Sequence, residues 1–433
     1  MKRFFSAARV IAVLALGLVT FQAHAQQLAT LKTTVADQTG ASIPGATITL
    51  TNTQTGAKRT DVTDAAGLSV ISGVPAGTYE LTAENKGFAA QKKSVVLSVG
   101  QVASLSVTMG VAAKAEEVVV EAGSVAGIDV EQPDVSQVVQ PAQIADLPIS
   151  GRDFIDFVLL TPSVNVGRST AVGAQSPFTE TVLKLSFAGV RESHTSFFAL
   201  DGADYTTSIS GVQRSSPSQD WVEEFRVVSS SYAADTGRNL GSTVNTITKS
   251  GTNDLHGSLY EFFRNNKLNA NNLLSAPGFD TLRFNQFGAT LGGPVRKEKN
   301  FFFTGYEGQR RAESPLYSSF ILHCTDNPGC FGPGTPSINQ VKQSLGLQPE
   351  NLGSFLTIDD YDKFIAKSNN TISENTSFNL AYLFNDSRKK NARGAAPGEG
   401  LPSSYRDNPV RDQTLYGDLS HVFSHDLVTD TVF

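Results

Sequence analysis

Phe187-Ala188-Gly189-Val190-Arg191, Leu200-Asp201-Gly202, Val222-Glu223-Glu224-Phe225-Arg226-Val227 and Gly241-Ser242-Thr243-Val244-Asn245-Thr246-Ile247-Thr248-Lys249-Ser250-Gly251 follow one another in one stretch of the chain. Short apolar runs alternate there with Gly, Asp, Asn and Ser, which predicts a compact mixed domain with tight turns. The pattern changes on either side. Upstream lie short strands separated by turn residues; downstream lie longer strands of alternating polarity. Thr, Ser, Asn and Gly are abundant, and 27 Phe stand beside one Trp and two Met. That composition fits turn-rich β-structure.

The 433 residues suggest about two to four domains. The balance of 41 acidic and 35 basic residues gives a net charge of −6. No basic run is interleaved with aromatics, so no nucleic-acid partner is expected. Residues 1–25 read as a signal peptide. Lys2, Arg3 and Arg9 form its positive region, Val10 to Val19 its apolar core, and Ala23-His24-Ala25 a small-x-small cleavage site. The mature chain is expected to start at Gln26. No later segment offers the ~18 consecutive apolar residues of a transmembrane helix, so any insertion must be as a β-barrel.

Residues 26–110 read as a β-sandwich. Expected strands are Leu28–Val35, Ala46–Asn52, Lys58–Thr63, Leu68–Ile71, Thr78–Glu84, Ala89–Leu97 and Gln101–Met109, with Ile48 and Leu50 facing inward. Three runs carry a resemblance to the carboxypeptidase regulatory-like domain: Asp37-Gln38-Thr39-Gly40-Ala41-Ser42-Ile43-Pro44-Gly45-Ala46, Thr63-Asp64-Ala65-Ala66-Gly67, and Val74-Pro75-Ala76-Gly77-Thr78-Tyr79. Leu68-Ser69-Val70 departs from it, because an aromatic usually follows the Asp-x-x-Gly turn. The stretch holds no His and no Cys. Neither a zinc site nor a thiol nucleophile can be built from it, and an accessory role is expected.

Residues 132–251 resemble the plug domain of TonB-dependent outer-membrane receptors. The closing run fits the family's Gly-Gly-x-Val-Asn-x-x-Thr-Lys, with Ser242 for the second Gly. Ala188-Gly189 replaces the family's Arg-Gly, and Arg191 comes two residues late. Leu147-Pro148-Ile149-Ser150-Gly151-Arg152 resembles the plug's opening, and Phe154 to Leu160 should add a helical turn or two. A solvated or helix-start role is expected for Arg152 and Asp153. Between sandwich and plug, residues 111–131 form a linker containing Glu116-Glu117-Val118-Val119-Val120-Glu121-Ala122. Glu117, Val118, Val119 and Val120 resemble a TonB box, an extended segment suited to joining a partner's sheet edge. The alternative is a last strand of the sandwich.

Residues 252–433 read as the first strands of an incomplete outer-membrane β-barrel. Phe287, Ala289 and Leu291, then Phe378, Leu380, Tyr382 and Phe384, then Leu415, Leu419 and Phe423, alternate with polar or small residues. About ten residues per strand is the barrel signature, and six strands plus the beginning of a seventh are expected. Tyr260, Phe262, Phe263, Phe301, Phe302, Phe303 and Tyr306 would populate the interface girdles. Pro294–Asn300, Asn369–Asn375 and Ser424–Leu427 are short connections; Asn265–Arg283, Arg311–Asp360 and Ser387–Arg411 are long. These would be periplasmic turns and extracellular loops. An eight-stranded barrel has room only for side chains, and plugged transporters use about 22 strands, so an N-terminal piece of a longer receptor is expected. Cys324 and Cys330 would form a disulfide in an external loop; the alternative is a metal with His323 as third ligand.

The whole fold class is thus mainly β: a small sandwich, an α+β plug and a partial antiparallel transmembrane barrel. Its order resembles the Oar-like branch of TonB-dependent receptors. The resemblance implies active transport across the outer membrane, with the sandwich and linker in the periplasm. Its partners would be TonB with its inner-membrane energising complex, outer-membrane lipid, and an extracellular ligand that is a carbohydrate, peptide or metal chelate. Tyr205, Thr206, Gln213 and Arg214, expected near an apical loop, are the candidate ligand contacts. The alternatives are a structural or adhesive surface protein, and an export channel without energised uptake. No cofactor and no enzyme is expected. No nucleophile elbow, P-loop or dinucleotide fingerprint appears, His421 and His425 lack a third ligand, and Asp359-Asp360 is expected in a loop.

Overall fold

The computed structural model describes residues 28–111, 118–119, 135–147, 149, 152–166, 185–187, 196–207, 213–230, 242–270, 281–314, 319–352, 356–392, 401, 403, 406–424 and 427–433. The signal peptide, the Ala188-Gly189 motif with Arg191, and Glu117 and Val120 of the linker lie outside them.

The N-terminal strands are β1 (Ala29–Asp37), β2 (Thr47–Asn52), β3 (Lys58–Val62), β4 (Leu68–Val74), β5 (Gly77–Glu84), β6 (Gln91–Leu97), β7 (Val102–Met109) and β8 (Val118–Val119). They form two sheets, ordered β4-β1-β7 and β3-β2-β5-β6-β8. Alternate residues face a common core of Leu31, Val35, Ile48, Leu50, Leu81, Leu97 and Met109, as period-two patterning requires. Burying a Leu or Ile here contributes roughly 1.5–3 kcal/mol. Turn chemistry fixes the register. The Asp37 carboxylate accepts from Thr39 N, Thr39 Oγ1 and Ala41 N, and the Asp64 carboxylate from Ala66 N and Leu68 N. Gly67 has φ +73°, and a Cβ there would stand 2.5 Å from the Val35 carbonyl oxygen. Both facts favour glycine.

The central strands are β9 (Val135–Val139), β10 (Val164–Val166), β11 (Leu185–Phe187), β12 (Ser196–Leu200), β13 (Ala203–Asp204), β14 (Val222–Ser230) and β15 (Ser242–Thr248). Five make a mixed sheet in the order β13-β12-β15-β14-β9, with β12 and β15 parallel. Helix α1 (Pro141–Asp146) and a 3-10 helix at Phe154–Leu160 pack on it. Phe154 meets Phe225 edge-on, with ring centroids 5.6 Å apart, inside a core that also holds Val139, Ile144, Phe187 and Val244. Pro at the first position of α1 suits a helix start.

The remaining strands are β16 (His256–Asn265), β17 (Leu282–Arg296), β18 (Asn300–Glu313), β19 (Thr357–Ser373), β20 (Thr376–Ala392), β21 (Arg406–Ser424) and β22 (Leu427–Val432). They pair antiparallel in sequence order, and β16 does not pair with β22, so this sheet is open. Its short connections, such as the turn between β17 and β18, lie at the end that carries the sandwich: Asn253 N donates to Gln54 O at 3.0 Å. The long connections hold α2 (Ser319–Cys324) and α3 (Ile338–Ser344). No described helix is long and apolar enough to cross a membrane, whereas Leu259, Phe263, Leu415, Leu419 and Phe423 are exposed on the sheet's outer face.

Several expectations are corrected. Strands β17 to β21 run 14–19 residues, not about ten. Cross-strand pairing continues past the apolar band: Asp359 and Asp360 lie in β19, opposite Lys389 and Arg388, rather than in a loop. Phe301 and Phe303 face inward, buried, because residues alternate along β18. Tyr260 also turns inward, where its hydroxyl donates to Glu307 Oε2 at 2.9 Å. Phe262, Phe263 and Tyr306 stay exposed.

Candidate functional site

The central sheet meets the inner face of the strand sheet through buried charged groups. Strand β12 ends at Asp201-Gly202, where both residues take positive φ (45° and 74°). An aspartate tolerates that region better than most residues. The turn aims the Asp201 carboxylate at the wall. Oδ1 accepts from Thr248 N at 2.8 Å. Oδ2 accepts from Thr248 Oγ1 at 2.5 Å, Tyr416 OH at 2.6 Å and Lys367 Nζ at 3.1 Å. Lys367 also donates to Thr248 O at 3.0 Å. The two charged side chains are 6% and 5% exposed. A buried pair persists only when its remaining lone pairs and protons are bonded in this way, and removing one partner costs about 3–5 kcal/mol.

A second junction is built on Glu307 of β18. Its Oε2 accepts from Ser218 Oγ at 2.5 Å and its Oε1 from Tyr361 OH at 2.9 Å. Lys363 Nζ donates to Ser216 O at 2.8 Å, and Ser216 Oγ donates to Asp153 Oδ1 at 2.7 Å. Between the two junctions sits Trp221, 1% exposed, in a cluster with Leu200, Tyr205, Phe303, Ile365 and Leu383. Gly305 lies against its indole, with no room for a Cβ. Burial pushes the Asp153 carboxyl up, opposed by its bond from Ser216. Burial, then the charge of Asp153, pushes Asp156 up to about 6.

Of the candidate ligand contacts, Tyr205 and Gln213 are 1% and 4% exposed and belong to packing. The Tyr205 hydroxyl is satisfied by Ser215 Oγ at 2.7 Å, and Gln213 bridges to Thr206. Arg214 is more open and pairs with Asp412 of β21 at 2.7 Å. Arg152 is not merely solvated: it pairs with Asp220 and stacks over Phe262. Asp153 caps the 3-10 helix at Ile155 N. Val118 and Val119 lie parallel to Gln91 and Lys92 of β6, the position of a last sandwich strand. Cys324 and Cys330 are disulfide-bonded, with Cα atoms 5.3 Å apart. Among the described residues no group of three His, Cys, Asp or Glu could hold a metal. The sequence reading missed Lys367, Glu307 and Tyr416. Their signal was a charged or phenolic residue at an inward position of an alternating strand.

Residues 30–110 match the family model for the carboxypeptidase regulatory-like domain, and residues 247–351 the model for an outer membrane beta barrel domain. The chain is 27% identical over 314 residues to the TonB-dependent transporter Oar of Myxococcus xanthus, covering 68% of this chain and 28% of that protein. It therefore spans 28% of that relative's length. Among solved structures, the outer membrane transporter YddB of Escherichia coli aligns with a TM-score of 0.45 at 11% identity, over 67% of this chain and 37% of that one. The siderophore receptor PirA of Acinetobacter baumannii aligns at 0.37 and 15% identity, over 69% and 47%. The chain is a homologue of the TonB-dependent transporter Oar and an outer-membrane protein, with a carboxypeptidase regulatory-like domain ahead of an outer-membrane β-barrel domain.

Proposed function

We propose that this chain forms the N-terminal part of a TonB-dependent transporter that carries a ligand across the outer membrane, with residues 132–251 acting as its plug. The observation that carries the reading is the buried Asp201–Lys367 contact, which fixes the central sheet to the inner face of the strand sheet. A body inside a sheet that faces lipid on its outer side blocks passage until it is rearranged. The linker around Val118–Val119 would be gripped by TonB through strand addition, and the pull would reach the central sheet through β9. Arg214 is retained as a ligand contact, and the long connections would supply the rest.

Growth of a strain lacking the gene, compared with its parent on single nutrient sources, should identify the cargo. Complementation by a gene deleted for Glu116–Ala122 should then fail, whereas a structural or adhesive role would tolerate the deletion.

A further inference from the structure

The strand Val222–Ser230 carries two charges that the transport reading does not use. Glu224 and Arg226, two residues apart, share one face of β14 and are 6% and 9% exposed. Both bond to the backbone of one sandwich turn. Glu224 Oε1 accepts from Val99 N at 2.6 Å. Arg226 Nη1 donates to the carbonyls of Val99 and Gly100, and its Nη2 donates to Ser136 Oγ of β9 at 3.0 Å. Val99, an apolar residue at the tip of the turn between β6 and β7, is fully buried where this contact forms.

We propose that the sandwich is a removable periplasmic cap, seated on the central sheet by Glu224 and Arg226, and that it lifts off this seat when the transporter is energised. The proposal rests on the transport reading above. Three further observations make the seat a separable one. The sandwich core and the central core are distinct clusters with no shared member, so lifting exposes no common hydrophobic interior. A cavity of about 860 Å³ lies between the sandwich, the central sheet and the short-turn end of the strand sheet, with Thr78, Ser98, Glu224, Ser250 and Glu374 in its walls. The contact borders a void through Glu224, and the sandwich also meets the end of the strand sheet, where Asn253 N donates to Gln54 O. Finally, charges that are bonded to backbone when seated are well solvated when free, so both states are tolerable.

The connection between the two bodies runs from the far end of the sandwich to the sheet that carries the seat. Val118–Val119 is laid along the start of β6, opposite Gln91 and Lys92, at the end of that strand away from the Ser98–Gln101 turn. Val135 begins β9, which pairs with β14, the strand that carries Glu224 and Arg226. Tension on the chain between them acts on the cap and on its seat together.

The test uses a Val99→Cys variant of the full receptor in living cells, probed with a maleimide small enough to pass porins; Cys324 and Cys330 are already oxidised. Labelling of Val99→Cys should be fast in energised cells and slow after a protonophore. Equal rates in the two conditions overturn the cap. The growth assay on the Glu116–Ala122 deletion judges the transport reading separately: a deletion that abolishes growth beside unchanged labelling sinks the cap alone. Should Val99→Cys fail to reach the membrane, amide exchange in the purified receptor decides. A hydrogen bond to an uncharged group contributes about 0.5–1.5 kcal/mol, so Glu224→Ala should speed exchange at Val99 roughly two- to tenfold. Unchanged exchange overturns the seat.

Discussion

Lys367 Nζ of β19 stands 3.1 Å from Asp201 Oδ2 at the end of β12, and both side chains are almost wholly buried. The contact joins two sheets 166 residues apart in sequence. Replacing Lys367 by Met leaves the Asp201 carboxylate buried without its cation. A loss of about 3–5 kcal/mol is expected. Denaturation followed through the fluorescence of Trp221, the chain's one tryptophan, reads it directly, because Trp221 shares a core with Tyr416, which donates to Asp201. Asp201→Asn with Lys367→Met should recover part of that loss, since no unpaired charge remains.

Gly305→Ala drives a methyl group into the Trp221 indole. Overpacking of this kind costs about 1–3 kcal/mol. A shifted Trp221 emission maximum and a lower denaturation midpoint are expected. An unchanged midpoint would mean that β18 can move away from the indole freely.

Glu224 should give the seat a pH dependence. Burial raises its carboxyl to about 7, opposed by the bond from Val99 N and aided by the charge of Glu223. Arg226 lies on the same face. A raised carboxyl means that the seated form holds its proton where the free form has lost it. Seating is therefore favoured fully below the ordinary value of 4.5 and weakens as pH rises through about 7. The change across that window is at most about 3 kcal/mol. Glu224→Gln keeps an acceptor for Val99 N and carries no charge. Its Val99 amide protection should be independent of pH between 5 and 8 and should exceed the parent's at the upper end, once corrected for intrinsic exchange, by roughly the factor that shift implies.

The disulfide Cys324–Cys330 closes a short loop after α2. A closure of this length is worth about 2 kcal/mol in the chain-entropy model. Cys324→Ser with Cys330→Ser should increase proteolysis between α2 and α3 and leave the Trp221 denaturation midpoint unchanged, because the loop shares no core with that junction.

Much of this architecture was legible residue by residue. The alternation of Ile48 and Leu50, and the Asp64-Ala65-Ala66-Gly67 turn, dictate their own local structure, so the sandwich strands fall where periodicity puts them. Short and long connections could be read from turn residues between alternating strands. The site was less legible. Asp201 stood inside a recognisable Leu-Asp-Gly run, but nothing local says that its carboxylate faces Lys367 and Tyr416 from distant strands. Tyr205 read as a ligand contact because the Asp201-Gly202 turn was expected to lead to an apical loop; its hydroxyl meets Ser215, which the returning chain supplies. Phe301 and Phe303 read as girdle residues because an aromatic run does not reveal which parity faces the core. Polarity within a strand marks two faces; only the partner decides which is buried.

If TonB pulls on the segment around Val118–Val119, uptake needs both that segment and the proton gradient. The most direct measurement is the initial uptake rate of the nutrient identified by growth, in cells carrying the intact receptor or the Glu116–Ala122 deletion, each with and without a protonophore. Uptake is expected only for the intact receptor in energised cells, with the deletion and the protonophore each reducing it to the level of a strain lacking the gene. Uptake that survives the deletion at the intact rate would contradict that expectation.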